Sequence, residues 1–208
     1  MIYPDGTAPT GSVSPASPPA SGAQVGVFPG VTDFRPWQPS TWPQPPKTFN
    51  EDFIENLRRI FRASMLEEIN NVIEDAEKVN GDLQHRGHVV AIALMCALDA
   101  LSSYGYRGRH IANFVQNHFP SDYQPYAGDI YRLYRNSLVH SWNLFEAAVL
   151  PGNEPVTKAK TGTLSFGLLN FFQALKAGVD HFLKCLETDA NLQTKALNRY
   201  RKLRKTAK

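Results

Sequence analysis

From Phe53 onward, apolar residues return every three or four positions: Phe53, Leu57, Ile60, Phe61, Leu66, Ile69, Val72, Ile73 and Ala76. That interval is the period of a helix with one buried side. Thr48-Phe49-Asn50-Glu51 ahead of it fits a capping box, with Thr48 as N-cap and Glu51 three residues later. Asn80-Gly81 supplies a stop, and Glu67, Glu68, Glu74, Asp75 and Glu77 form a solvated acidic side. A second run, from about Gln84 to Tyr104, is apolar on nearly every side (Val89, Val90, Ile92, Leu94, Cys96, Leu98, Leu101), which predicts the central, most buried helix. Asp99 stands out within it, because a buried carboxylate needs a partner. Arg135 is one candidate partner; a polar edge facing water or a nearby amide is the other reading.

The next elements are shorter. Tyr104-Gly105-Tyr106-Arg107-Gly108 reads as a turn. A short helix with Ile111, Phe114, Val115 and Phe119 inward follows and stops at Pro120. Pro125 opens another helix, expected from about Tyr126 to Val139 or His140, with Ile130, Leu133, Tyr134 and Leu138 apolar. Asn143 to Gly167 breaks the helical period, and Pro151-Gly152-Asn153 offers the turn of a small hairpin. Leu168, Leu169, Phe172, Leu175, Val179, Phe182, Leu183 and Leu186 then mark a strong helix; Leu192, Leu197, Tyr200 and Leu203 mark a last one. The expected fold is all-α: a helical domain over 48–208 with one long connection, irregular or containing a hairpin.

Composition changes the picture mainly at the two ends. Eleven of the 15 prolines lie in residues 1–47, among Gly, Ser, Ala and Thr, so that stretch is expected to stay a disordered tail. Phe28, Phe34, Trp37 and Trp42 punctuate its second half and suit docking, either on the chain's own domain or on a partner. The net charge of +3 conceals a basic end: Asn191 to Lys208 holds seven Lys and Arg and no acid, leaving about −4 for the rest. Such an end can follow a polyanion or can simply complement a helix dipole. The two cysteines, Cys96 and Cys185, are far apart in apolar runs, which favours reduced thiols and an intracellular setting. A charged n-region with an apolar run is not visible at the start, and His88–Leu101 is short for a bilayer and interrupted by Asp99, so a cytoplasmic protein with no membrane partner is expected.

Candidate chemistry gathers in Tyr131-Arg132-Leu133-Tyr134-Arg135-Asn136-Ser137-Leu138-Val139-His140-Ser141-Trp142. It delivers a fixed cation with a planar donor fork, an amide and a proton-transfer group from one helix end. Asn136 and His140, four apart, share a helix face, whereas Arg135 and His140 stand about 140° apart round an ideal helix. The helix must loosen there, or a second subunit must complete the site. A structural reading competes: Arg135 neutralising Asp99, and His140 capping its own helix.

Arg135, four residues and His140, with Asn136 directly after the arginine, resembles the signature of the HEPN family (higher eukaryotes and prokaryotes nucleotide-binding). These are helical domains, many of which cleave RNA. The resemblance implies a HEPN-like bundle acting as a homodimer, metal-independent and without a cofactor, in which the ribose 2′-hydroxyl is the nucleophile. His140 would move protons, Arg135 would hold the scissile phosphate, and Asn136 would orient one or the other. It also implies toxin–antitoxin or antiviral settings, with an inhibitory or regulatory protein partner. Asp99, Ser141 and Tyr134 are the supporting candidates, and Arg132, Arg199 and Lys202 the RNA-binding ones. Tyr123, Tyr126, Tyr131 and Tyr134 can stack on bases or pack at the rim of the core. His181 and Cys185 sit four apart on a helix, a spacing metals use, but two ligands do not make a site, so no metal is expected.

Overall fold

The computed structural model describes residues 43–80, 87–133 and 147–206. A helical run opens the domain: α1 (Glu51–Arg58), a π-helical stretch (Arg59–Leu66) and α2 (Glu67–Asn80). Its cap is Asn50 and not Thr48, since the Asn50 Oδ1 accepts from the Phe53 N–H at 3.0 Å. Glu51 and Asp52 then fall in the first turn, where the helix dipole favours them. The π stretch follows from the sequence. Phe53, Leu57, Phe61, Met65, Ile69 and Ile73 are all buried and recur every four residues. In a pure α-helix at about 100° per residue, that stripe would wander roughly 200° round the axis. Eight residues of wider turn take up most of the drift and keep one face on the core.

α3 (Gly87–Gly105) runs through the middle of the domain, against α2 and the helices that follow. It has the length and composition to cross a membrane, but half of it is buried within the fold. Val90, Leu94, Leu98 and Leu101 have no exposure, whereas Val89, Cys96 and Ala100 face outward. The burial is therefore less complete than the sequence suggests. The predicted turn at Tyr104–Gly108 leads into α4 (His110–His118), with Gly108 at φ 67°, a left-handed conformation suited to glycine. Phe119 is extended before Pro120, which ends α4 as expected. A short 3₁₀ turn (Gln124–Tyr126) leads to α5 (Ala127–Leu133), packed on α4.

The long connection holds a small sheet. β1 (Ala147–Leu150) pairs in parallel with β3 (Leu164–Gly167), and β2 (Thr157–Lys158) pairs antiparallel with β3, giving the order β1-β3-β2. The hairpin therefore lies between β2 and β3, closed by Ala159 N–H to Thr163 O at 2.9 Å, not at Pro151-Gly152-Asn153. That Pro-Gly-Asn turn instead braces the start of α6 (Leu168–Thr188): the Gly152 carbonyl accepts from Leu169 N–H at 3.0 Å and the Glu154 carbonyl from Gly167 N–H at 3.0 Å. Gly167 packs so tightly on the backbone of Gly152 and Glu154 that any Cβ would collide.

α6 is the second core helix, with Phe171, Leu175, Val179, Phe182 and Leu186 fully buried. α7 (Ala190–Thr206) closes the domain against α3 and α6. The structure is thus mostly helical, with one three-stranded sheet among the described residues. The end of the Pro-rich segment docks on the chain's own domain. The Pro43 carbonyl accepts from Tyr200 Oη at 2.8 Å, and Arg201 Nη2 donates to the carbonyls of Pro46 and Lys47, each at 2.7 Å.

Candidate nucleic-acid interface

The basic residues of α7 do not form one patch. Lys195, Arg199 and Lys202 recur at spacings of four and three and so share one side of α7. Arg201 and Arg204 lie on the other flank of the buried side and hold the Pro43–Lys47 backbone. The first three face the α3–α4 turn across a cleft of about 630 Å³, lined also by Arg107, His110, Asp99 and Asn198. Among the described residues, four permanent cations and one carboxylate therefore share a single concavity, a field that concentrates anions.

The floor of the cleft is tied down. Arg199 Nε donates to Ser103 Oγ at 2.9 Å, and Ser103 Oγ donates to the Ala100 carbonyl at 2.7 Å. The rest of the Arg199 fork is left to face the opening. At the rim, His110 Nε2 lies 2.6 Å from Asp99 Oδ1, and His110 Nδ1 lies 2.9 Å from the Gly108 carbonyl. Both ring nitrogens thus face fixed partners on the α3–α4 side of the cleft. Asp99 thus meets a histidine eleven residues on, across the turn. Side chains of α3, α4 and α7 hold the cleft, and Arg107, in the glycine turn between α3 and α4, lines it.

Of the sequence candidates, Asp99, Arg199 and Lys202 converge here. Arg132 does not line this cleft; on α5 its guanidinium lies 3.5 Å from Asp129, which also binds Lys158 at 2.8 Å. Tyr134, Arg135, Asn136, His140 and Ser141 lie outside the described residues, as does any meeting of Arg135 with Asp99. Of the other tyrosines, Tyr123 is buried in the core against Phe119 and Phe171, which is packing and not a stacking platform. Arg107 and His110 were not among the sequence candidates, and Lys195 was counted only as part of the basic end. Lys195, four residues before Arg199 on a helix, was the available signal.

A second cluster lies behind Tyr106, whose ring also lines the cleft. Tyr106 Oη is 2.8 Å from His118 Nε2, and His118 Nδ1 is 3.2 Å from His181 Nδ1. The Cys185 thiol is 3.7 Å from His181 Nε2. Burial, aided by His181, pulls the His118 pKa down to about 4, so the ring is neutral near pH 7. Burial pushes Tyr106 up to about 12, and burial with Asp189 pushes the Cys185 thiol up. His118 therefore completes a triangle with the two residues that the helical spacing had already paired.

No family of known proteins, no curated protein and no solved structure matches this chain.

Proposed function

We propose that the chain is an RNA-binding helical domain of HEPN type that cuts RNA without a metal, acting as a homodimer. The observation that carries the binding half is the convergence of Arg107, Lys195, Arg199 and Lys202 on one cleft. Cations so spaced suit successive phosphates of a backbone, an affinity that falls steeply with salt. The cutting half rests on Arg135-Asn136-Ser137-Leu138-Val139-His140, which follows α5 directly in the sequence. There the guanidinium holds the phosphate and stabilises its added charge, and the imidazole exchanges a proton with the 2′-hydroxyl or the leaving oxygen. A toxin or defence effector restrained by a protein partner is the setting this chemistry fits.

A binding module without turnover is the second reading. It is favoured by the cations that α7 and the α3–α4 turn bring to one cleft, which suit binding by themselves.

The test uses the full chain with fluorescent single-stranded RNA in excess chelator, scoring binding by anisotropy and cutting on gels. Arg199→Ala with Lys202→Ala weakens binding, while His140→Ala and Arg135→Ala abolish cutting and leave binding in place. Binding without cutting by the unaltered chain supports the module instead. RNA neither bound nor cut removes both readings.

A further inference from the structure

His118, His181 and Cys185 offer one ligand atom each within 4.8 Å of one another, at the place where α4 meets α6. We propose that they form a three-ligand site for a borderline-soft divalent transition ion, Zn²⁺ by preference, whose fourth position is open to solvent.

Four features of the geometry support this. The two facing Nδ1 atoms are 3.2 Å apart. Two nitrogens bound to one tetrahedral Zn²⁺ at about 2.05 Å would be roughly 3.3 Å apart. The pair is therefore already at the edge length a metal needs. Cys185 is one helical turn from His181 on the same face, and its sulfur lies within 4.8 Å of a ring nitrogen of each histidine.

His118 is also oriented as a ligand. Its Nε2 meets the Tyr106 hydroxyl at 2.8 Å, so Nε2–H can donate outward while Nδ1 presents its lone pair inward. The rings of Phe114 and Phe182, at 4.8 and 5.3 Å between centroids, fix its plane and keep water off that side. His181 is exposed and Cys185 half-exposed, which leaves a path for the ion and room for a water or substrate atom as fourth ligand.

Two imidazoles and a thiolate are the donor set that suits zinc, and among the described residues no carboxylate, which would favour harder ions, joins the cluster. Binding requires the Cys185 thiol to lose its proton, so affinity rises with pH. The ion would tie α4 to α6 directly behind Tyr106. This site is independent of the RNA reading: its ligands differ from those of the cleft and from Arg135 and His140.

The experiment titrates Co²⁺ and then Zn²⁺ into chelator-treated, reduced full chain. Expected are one Co²⁺ per chain, visible bands of tetrahedral intensity and a near-ultraviolet thiolate-to-cobalt charge-transfer band, all displaced by Zn²⁺. Cys185→Ser should abolish the charge-transfer band, and His181→Gln should weaken binding at least about tenfold; Cys96→Ser should change neither. On the unaltered chain, Zn²⁺ should protect Cys185 but not Cys96 from alkylation, read by mass spectrometry. A charge-transfer band that survives Cys185→Ser, or equal alkylation of both cysteines with and without Zn²⁺, overturns the proposal.

Discussion

His110 Nε2 and Asp99 Oδ1 meet at 2.6 Å across the turn from α3 to α4, placing a carboxylate of the cleft against an imidazole at its edge. The pair is part-exposed, so it contributes on the order of 0–1 kcal/mol to stability. Its larger effect is on the field. Asp99 is the negative charge among Arg107, Lys195, Arg199 and Lys202. Asp99→Asn keeps an acceptor for His110 and removes that charge. RNA affinity should then rise by about two- to fivefold at low salt, with the gain shrinking as salt screens the site. Fluorescence anisotropy across a salt series measures this. An affinity that falls at every salt would show that the carboxylate serves only to hold the turn.

Arg199 and Lys202 should behave in the opposite way. Replacing either with Ala should weaken RNA binding about equally across sequences and lower the salt slope by roughly one. Arg199→Lys is a sharper probe. Its Nε anchors to Ser103 Oγ, leaving the terminal nitrogens free to present a planar fork, and an ammonium cannot do both. Loss of affinity in Arg199→Lys comparable to Arg199→Ala would show that geometry, and not charge alone, is being used.

Glycine positions separate two kinds of close packing. A Cβ on Gly105 would lie 2.9 Å from both Leu192 Cδ1 and Phe182 Cε2, where α3, α6 and α7 meet. Leu192 can shift its methyl, whereas the buried Phe182 ring must give by a few tenths of an ångström, so Gly105→Ala should cost about 1–3 kcal/mol. A Cβ on Gly167 would meet backbone atoms of Gly152 and Glu154, which cannot step aside. Gly167→Ala should cost more, about 2–4 kcal/mol, and loosen the turn that braces α6. Urea denaturation of the two variants side by side checks the order.

His118 gives the metal-free protein a defined acid sensitivity. Its folded pKa is lowered to about 4 by burial and by His181, against about 6.5 unfolded. Between those values the unfolded chain binds the extra proton and the native state does not. This contribution to stability is therefore present above about pH 6.5 and is lost progressively as pH falls toward 4. Thermal midpoints in chelator should drop over that window, and His118→Gln should flatten the drop. Midpoints that fall equally in both proteins would place the sensitivity elsewhere.

Much of the helical layout was legible because it depends on local period alone. α3, α4, α6 and α7 follow the spacing of their buried residues, and Pro120 and the Tyr104–Gly108 turn fall where the sequence set them. The π-helical stretch was also written in the chain, as a strict interval of four from Phe53 to Ile73, but it is visible only once Met65 is counted in the stripe. The N-cap was misplaced because Thr48 and Asn50 both carry capping oxygens, and backbone direction decides between them. Parallel pairing of β1 with β3 could not be read locally: it joins residues 17 apart through contacts on the core. The same limit hid the sites. His110 finds Asp99 across a turn, and His118 finds His181 from 63 residues away, though a histidine three residues after Val115 on an inward stripe was a hint.

α7 divides its charges between two faces, and what each face does can be tested. Tyr200 and Arg201 bind the carbonyls of Pro43, Pro46 and Lys47, groups that a proline-rich strand cannot satisfy by pairing with itself. Arg201 is only partly exposed, and its two charged hydrogen bonds to those carbonyls contribute on the order of 1–2 kcal/mol. Arg201→Ala should therefore release residues 43–47 and speed proteolytic cutting just before Thr48. Tyr200→Phe, which removes a single hydrogen bond and keeps the ring on Phe53, should do so more weakly. Neither should change RNA affinity by more than about twofold, since both sit on the flank away from the cleft. Lys195→Ala and Lys202→Ala should show the reverse: weaker RNA binding and an unchanged cutting rate. Limited proteolysis and anisotropy on the same four variants decide it, and a single variant that moves both readouts strongly would mean the two faces of α7 are coupled.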